Sequence, residues 1–202
     1  IAAFAAIEVA IFSAGWAEPL TRTLAGSRWG WLLVMGAFVV VGMLATKASH
    51  ASRSKPVQYA ALFGFVAAEA IIFVPILYIA DTYFANDQII QKAALASAAG
   101  FVGLTAVAFL TRKDFSFLRG VIMWGGIAAV VLIVVSLVFG FSLGTFFAVA
   151  MIALAGASIL YDTSNVLHHY PADMHVGAAL SLFASVAMLF YYVLYLFMSM
   201  RE

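Results

Sequence analysis

Seven apolar runs separated by short polar breaks, at about 1–16, 29–46, 58–80, 88–110, 117–139, 144–167 and 174–199, occupy most of the 202-residue chain. Each except the first is near the ~20 residues needed to cross a bilayer as a helix. Only 9% of the residues are charged while 66% are hydrophobic, and the mean hydropathy is +1.10. A soluble domain carries about 25% charged residues and must present much polar surface to water. This chain has too little polar surface for that, so lipid is its main solvent. In lipid, backbone amides must bond within a helix or around a closed barrel. These runs are about twice a barrel strand's length and lack strict alternation, so they predict helices. The expected fold is an all-α integral membrane protein, a bundle of seven transmembrane helices forming one polytopic domain over 1–202. The opening run is short for a span, so further residues are expected upstream of Ile1.

Several functions fall away on composition and motif. A formal charge of +1 without a basic-aromatic tract gives no electrostatic reason to bind nucleic acid. The chain has no cysteine, hence no disulfide, thiolate metal site or cysteine nucleophile. Neither GxSxG nor HExxH occurs, and no serine adjoins an obvious base, so an enzyme is not expected. A retinal pump needs a Schiff-base lysine in the last span, and Gly177 to Met200 contains none. A secondary transporter is a weaker reading: Pro75 can mark a broken helix, yet no internal repeat accompanies it. No cofactor is implied.

The basic residues suggest an orientation. Lys47, Arg53 and Lys55 follow the second run and Arg112, Lys113 and Arg119 the fourth, against Arg22, Arg28 and Lys92 on the other side. The positive-inside rule then makes the second, fourth and sixth connections cytoplasmic. Trp16, Trp29, Trp31 and Trp124 fall near run ends and read as interfacial anchors. Gly100 with Gly103, Gly125 with Gly126, and the small residues from Ala153 to Ala157 suit close helix packing.

Ionisable groups within the runs are few, and a charge at mid-bilayer costs at least ~2.5 kcal/mol. Glu8, Glu69 and Asp162 therefore stand out. Glu69 lies near the middle of the third run, six residues before Pro75, which removes a backbone donor. It is either a station on a polar path or a neutral acid bonded to a neighbouring helix. Asp162 ends a long apolar stretch and belongs at the membrane boundary. If the sixth helix continues to about His168, then Asp162, Asn165 and His169 share one face. Pro171 breaks the chain, and Asp173 is placed to cap the seventh helix. His168, His169 and His175 match no zinc signature, so no metal is assigned. With an unperturbed histidine pKa near 6.5, they make this connection gain positive charge as pH falls.

TRKDFSFLRG (111–120), EAIIFVPIL (69–77), YDTSNVLHHY (161–170) and AALSLFASVAMLFYYVLYLF (178–197) together resemble the Bax inhibitor-1 family, most closely its bacterial YccA-like branch. In the first of these motifs Arg112 and Lys113 complement the negative end of the fourth helix, and Asp114 can cap the fifth. The resemblance implies seven helices with the seventh central, in the bacterial inner membrane. It also implies a pH-sensitive calcium leak or a regulator of membrane stress. In leak-type members, an aspartate on helix six and another on helix seven share a proton and latch the pore, because two close carboxylates cannot both ionise cheaply. Asp162 matches the helix-six position, but the helix-seven position is Ser185. A serine can donate a hydrogen bond to Asp162 but cannot share its charge. The expected gate and pH-sensing set is therefore Asp162, Ser185, Glu69, Asn165 and His169, with calcium the expected ion and weakly held. The YccA-like branch implies the alternative, a non-conducting regulator partnered with a membrane-anchored FtsH-type protease or another membrane protein.

Overall fold

The computed structural model describes residues 1–26, 41–42, 44–45, 47, 54–171 and 174–201. Among these, seven α-helices are defined: α1 (Ala2–Ser13), α2 (Ala17–Ala25), α3 (Lys55–Tyr83), α4 (Ile89–Thr111), α5 (Leu118–Phe139), α6 (Gly144–His168) and α7 (His175–Ser199). The third to seventh are long and apolar enough to cross a membrane, and α1 with α2 makes a sixth crossing if that bent pair is one broken span. The chain is an all-α membrane protein. The predicted second run, 29–46, lies outside the described residues except at 41–42 and 44–45. Arg28, Trp29, Trp31, Arg53 and Asp173 lie outside them as well.

The opening run differs from its sequence reading. Its helix stops at Ser13, Gly15 adopts φ +74, and α2 leaves at 100° to α1. A left-handed backbone of this kind favours glycine, which has no Cβ to clash. The new helix is amphipathic. Ala17 is buried and Leu20, Thr21 and Leu24 are partly buried, whereas Glu18 and Arg22 face outward in an i, i+4 pair at 2.6 Å. Pro19 is tolerated because the first turn needs no N–H from it. Sequence reading missed α2 because its polar residues look like a break between spans.

The described chain forms two compact units, Ile1–Tyr83 with Ala172–Ser181, and Phe84–Pro171 with Leu182–Glu202. In the first, α1 and α2 both pack on α3. Helix α3 is 29 residues long, about 44 Å at 1.5 Å per residue. It runs through Pro75 without a break, so the Ile71 carbonyl lacks its usual intrahelical donor. Ala70, Phe73 and Val74 are almost wholly buried, and Phe73 meets Phe4 of α1 edge-on with ring centroids 5.1 Å apart.

In the second unit α6 packs on both α4 and α5. Small residues permit this. A Cβ added at Gly125 would lie 2.7 Å from Leu154, and one at Gly156 would lie 3.3 Å from Leu104, while Gly103 and Gly126 face open space. The turn joining α5 to α6 starts at Gly140 (φ +76) and ends at Gly144 (φ +64), so the glycines at both ends supply backbone that other residues rarely adopt. Contacts between helix ends fix the directions. Arg201, after α7, pairs with Asp87, before α4, at 3.4 Å, and Ser199 lies 3.5 Å from Thr145 at the start of α6. At the opposite end the chain after α4 meets the end of α6, through Phe115 with Ser164 and Asp114 with His169. Helices α4 and α6 therefore run the same way and α7 runs against them.

Candidate functional site

Polar residues are concentrated in the last two turns of α6. Thr163, Ser164 and Asn165 are buried at 2%, 0% and 9% exposure, and Asp162 is partly exposed beside them. Such a tract within a membrane helix needs partners from neighbouring elements, since a buried polar group without one costs several kcal/mol in lipid. Helix α7 supplies one. The Ser185 hydroxyl donates to Asp162 Oδ2 at 2.6 Å, and Ser185 is itself 6% exposed. A hydroxyl bonding a carboxylate at this distance is the short, charge-assisted kind.

A second partner comes from the connection between α4 and α5. The Phe115 backbone N–H donates to Ser164 Oγ at 3.0 Å, tying that connection to the wall of α6. Ser164 carried no signal in the sequence, because one serine in a polar tract looks like any other until a backbone amide is found facing it. Asp114, in the same connection, accepts the Ser116 N–H at 2.8 Å and lies 3.7 Å from His169 Nε2. It thus closes the turn ahead of α5 rather than capping the helix, whose first residue is Leu118.

Helix α6 ends at His168, as the sequence suggested, and His169 is its C-cap with non-helical angles (φ −122, ψ −26). The Asn165 carbonyl accepts N–H groups from both His169 and Tyr170 at 2.8 Å. His169 therefore leaves the helix and turns to Asp114, while Asp162 engages Ser185. His168 Nδ1 lies 3.0 Å from the Ser164 carbonyl, and its ring is 6.2 Å from that of His169. His175 belongs to the other unit, where its Nε2 is 3.4 Å from the Tyr59 hydroxyl.

Glu69 is also in the first unit, 6% exposed on α3 among Phe65, Val66, Ala70 and Phe73. Glu8 is 7% exposed on α1, one turn beyond Phe4, and neither carboxyl oxygen has a hydrogen-bond partner among the described residues. The sequence-derived set thus divides. Asp162 and Ser185 are in direct contact, Asn165 and His169 shape the end of the same helix, and Glu69 stands in the other unit.

The Asp114 carboxyl titrates below the usual carboxylate range. The Ser116 backbone N–H is the main cause; desolvation, the next largest, opposes it, and the Ser116 side chain and the nearby charges of His169 and His168 add smaller effects in the lowering direction. A depressed folded-state pKa contributes stability above the ordinary carboxylate pKa, which is lost as pH falls through the lowered value. At pH 8 Asp114 is ionised and its turn is closed. Asp114→Ala is expected to speed trypsin cleavage after Arg112 and Lys113 several-fold at that pH, read by mass spectrometry of the fragments. Unchanged cleavage would show that the turn holds without it.

The family model described as "Inhibitor of apoptosis-promoting Bax1" matches residues 1–202. The Bax inhibitor 1 of Schizosaccharomyces pombe is 31% identical over 176 residues, which cover 81% of this chain and 60% of that protein. The modulator of FtsH protease YccA of Escherichia coli K12 is 27% identical over 145 residues, 70% of this chain and 64% of YccA. An uncharacterised protein of Pseudomonas aeruginosa is 34% identical over 113 residues, 55% of this chain and 50% of that one. The chain spans 50 to 64% of the length of these curated relatives. With the family matched from end to end and five long apolar helices in place, the chain belongs to the Bax inhibitor-1 family and is a multipass membrane protein.

Proposed function

We propose that the protein is a pH-dependent cation leak, with calcium as its ion, gated where Asp162 meets Ser185. The hydrogen bond between them, 2.6 Å long and joining α6 to α7, carries the reading. Breaking it separates two helices, and forming it leaves a carboxylate whose charge depends on protonation. On this reading the bundle has seven spans and α7 is central. Its support is that α7 alone among the described helices contributes to both compact units. The Asp162 end faces the cytoplasm, in keeping with Arg112, Lys113 and Arg119 beside it. Glu69 serves as a polar station within the membrane, and Asn165 and His169 hold the end of α6. Carboxylate and carbonyl oxygens suit a hard cation, held loosely enough to pass. No catalytic step is part of this reading. Purified protein in liposomes is expected to admit calcium faster than empty liposomes, with flux that changes between pH 6 and 8. Flux equal to that of empty liposomes at every pH would exclude a leak.

A second reading rests on the likeness to the modulator of FtsH protease YccA. On it the chain conducts nothing and binds a membrane-anchored protease of the FtsH type. That reading requires co-purification with the protease and no calcium flux.

A further inference from the structure

We propose that the recess between the ends of α4 and α6 binds the phosphate of an anionic phospholipid. Phe109, Arg112, Leu167 and His168 line this open cleft of about 360 Å³, within one compact unit. Its two sides differ in chemistry. Phe109 is 51% exposed and Leu167 36%, and both lie within about a turn of their helix ends, on the apolar faces of membrane helices. Arg112 and His168 form the polar side.

Local folding leaves both polar groups available. Arg112 is the C-cap of α4 in a left-handed conformation (φ 50), and its backbone N–H already bonds the Ala108 carbonyl. That bond closes the helix without the side chain. The guanidinium is exposed, and no ion pair to it is present among the described residues, where the pairs are Arg22–Glu18, His169–Asp114 and Arg201–Asp87. A backbone carbonyl only accepts, so His168 Nδ1 carries a proton and donates to Ser164 O, and Nε2 donates to a phosphate oxygen when the ring is an imidazolium. A planar guanidinium suits a phosphate through two parallel N–H···O bonds.

The lining also selects among phosphates. Among the described residues no carboxylate lines the cleft to receive an ammonium or choline group, and nearby Asp114 is held by Ser116 and His169. An anionic headgroup such as phosphatidylglycerol therefore fits better than a zwitterionic one. A free phosphate would leave the wall formed by Phe109 and Leu167 unused, whereas a phospholipid carries hydrocarbon directly beneath its phosphate. Basic recesses between membrane helices near the surface are suited to such headgroups.

Native mass spectrometry of the full chain, released from detergent and titrated separately with phosphatidylglycerol, phosphatidylcholine and inorganic phosphate, tests this. Phosphatidylglycerol is expected to bind about tenfold better than phosphatidylcholine, the scale of one or two charge-assisted hydrogen bonds. The double variant Arg112→Asn with His168→Gln, in which asparagine tolerates the left-handed backbone, is expected to lose that preference. Arg201→Gln removes a cation elsewhere and is expected to keep it. Phe109→Ser retains both polar groups and is expected to bind phosphatidylglycerol several-fold more weakly. Equal binding of the two lipids, or a preference that survives the double variant, would overturn the site. Full displacement of the lipid by equimolar inorganic phosphate would overturn its assignment to a phospholipid.

Discussion

Liposomes carrying the Ser185→Ala variant are expected to admit calcium about ten times faster than the wild type at the same pH and protein density. The substitution removes the hydroxyl that donates to Asp162 at 2.6 Å and changes little else, since Ser185 is 6% exposed and alanine fits its space. A hydrogen bond to a charged group is worth about 1.5–3 kcal/mol, and each 1.4 kcal/mol is a factor of ten in an equilibrium. Losing it therefore favours the separated arrangement of α6 and α7 by about tenfold or more. Ser185→Thr keeps a hydroxyl and is expected to leak at close to the wild-type rate. If alanine and serine proteins leak equally, the bond holds no gate closed.

The second large effect concerns stability. Phe73→Ala is expected to destabilise the protein in detergent by about 3 kcal/mol, within the 3–5 kcal/mol found for buried Phe truncations. Phe73 is 2% exposed, and its edge-to-face contact with Phe4 fastens α1 to α3. Helix α1 packs on α3, so its position depends on that contact. Phe4→Ala should be less costly, and the double variant should reveal a coupling of about 0.5–1.5 kcal/mol between the rings. Reversible unfolding in mixed detergent measures both. A loss below 1 kcal/mol for Phe73→Ala would mean that neighbouring side chains or detergent refill the site.

The long helices were legible because their signal is redundant. The many apolar residues from Leu118 to Phe139 together mark α5, and glycines punctuate its end, so no single position decides the reading. Asp162 was legible for the opposite reason, as a lone acid where an apolar run stops. What the sequence hid were short-range choices with little hydropathy signal. The bend after Ser13 depends on the backbone of Gly15, and α2 buries only a narrow face. His169 falls on the Asp162 face if the helix is extended by one residue. The Asn165 carbonyl instead takes the N–H groups of His169 and Tyr170 and ends the helix, sending the ring to Asp114. Ser164 could be recognised only with its long-range partner, because Phe115 is 49 residues earlier in the chain.

The most direct measurement is calcium flux into liposomes between pH 6 and pH 8, comparing the wild type with Asp162→Asn. Asparagine can still accept from Ser185, but it carries no charge at any pH. The variant is expected to admit calcium faster than the wild type, because asparagine replaces a charge-assisted bond with a weaker neutral one. Equal flux from the two proteins at every pH would contradict a gate at Asp162.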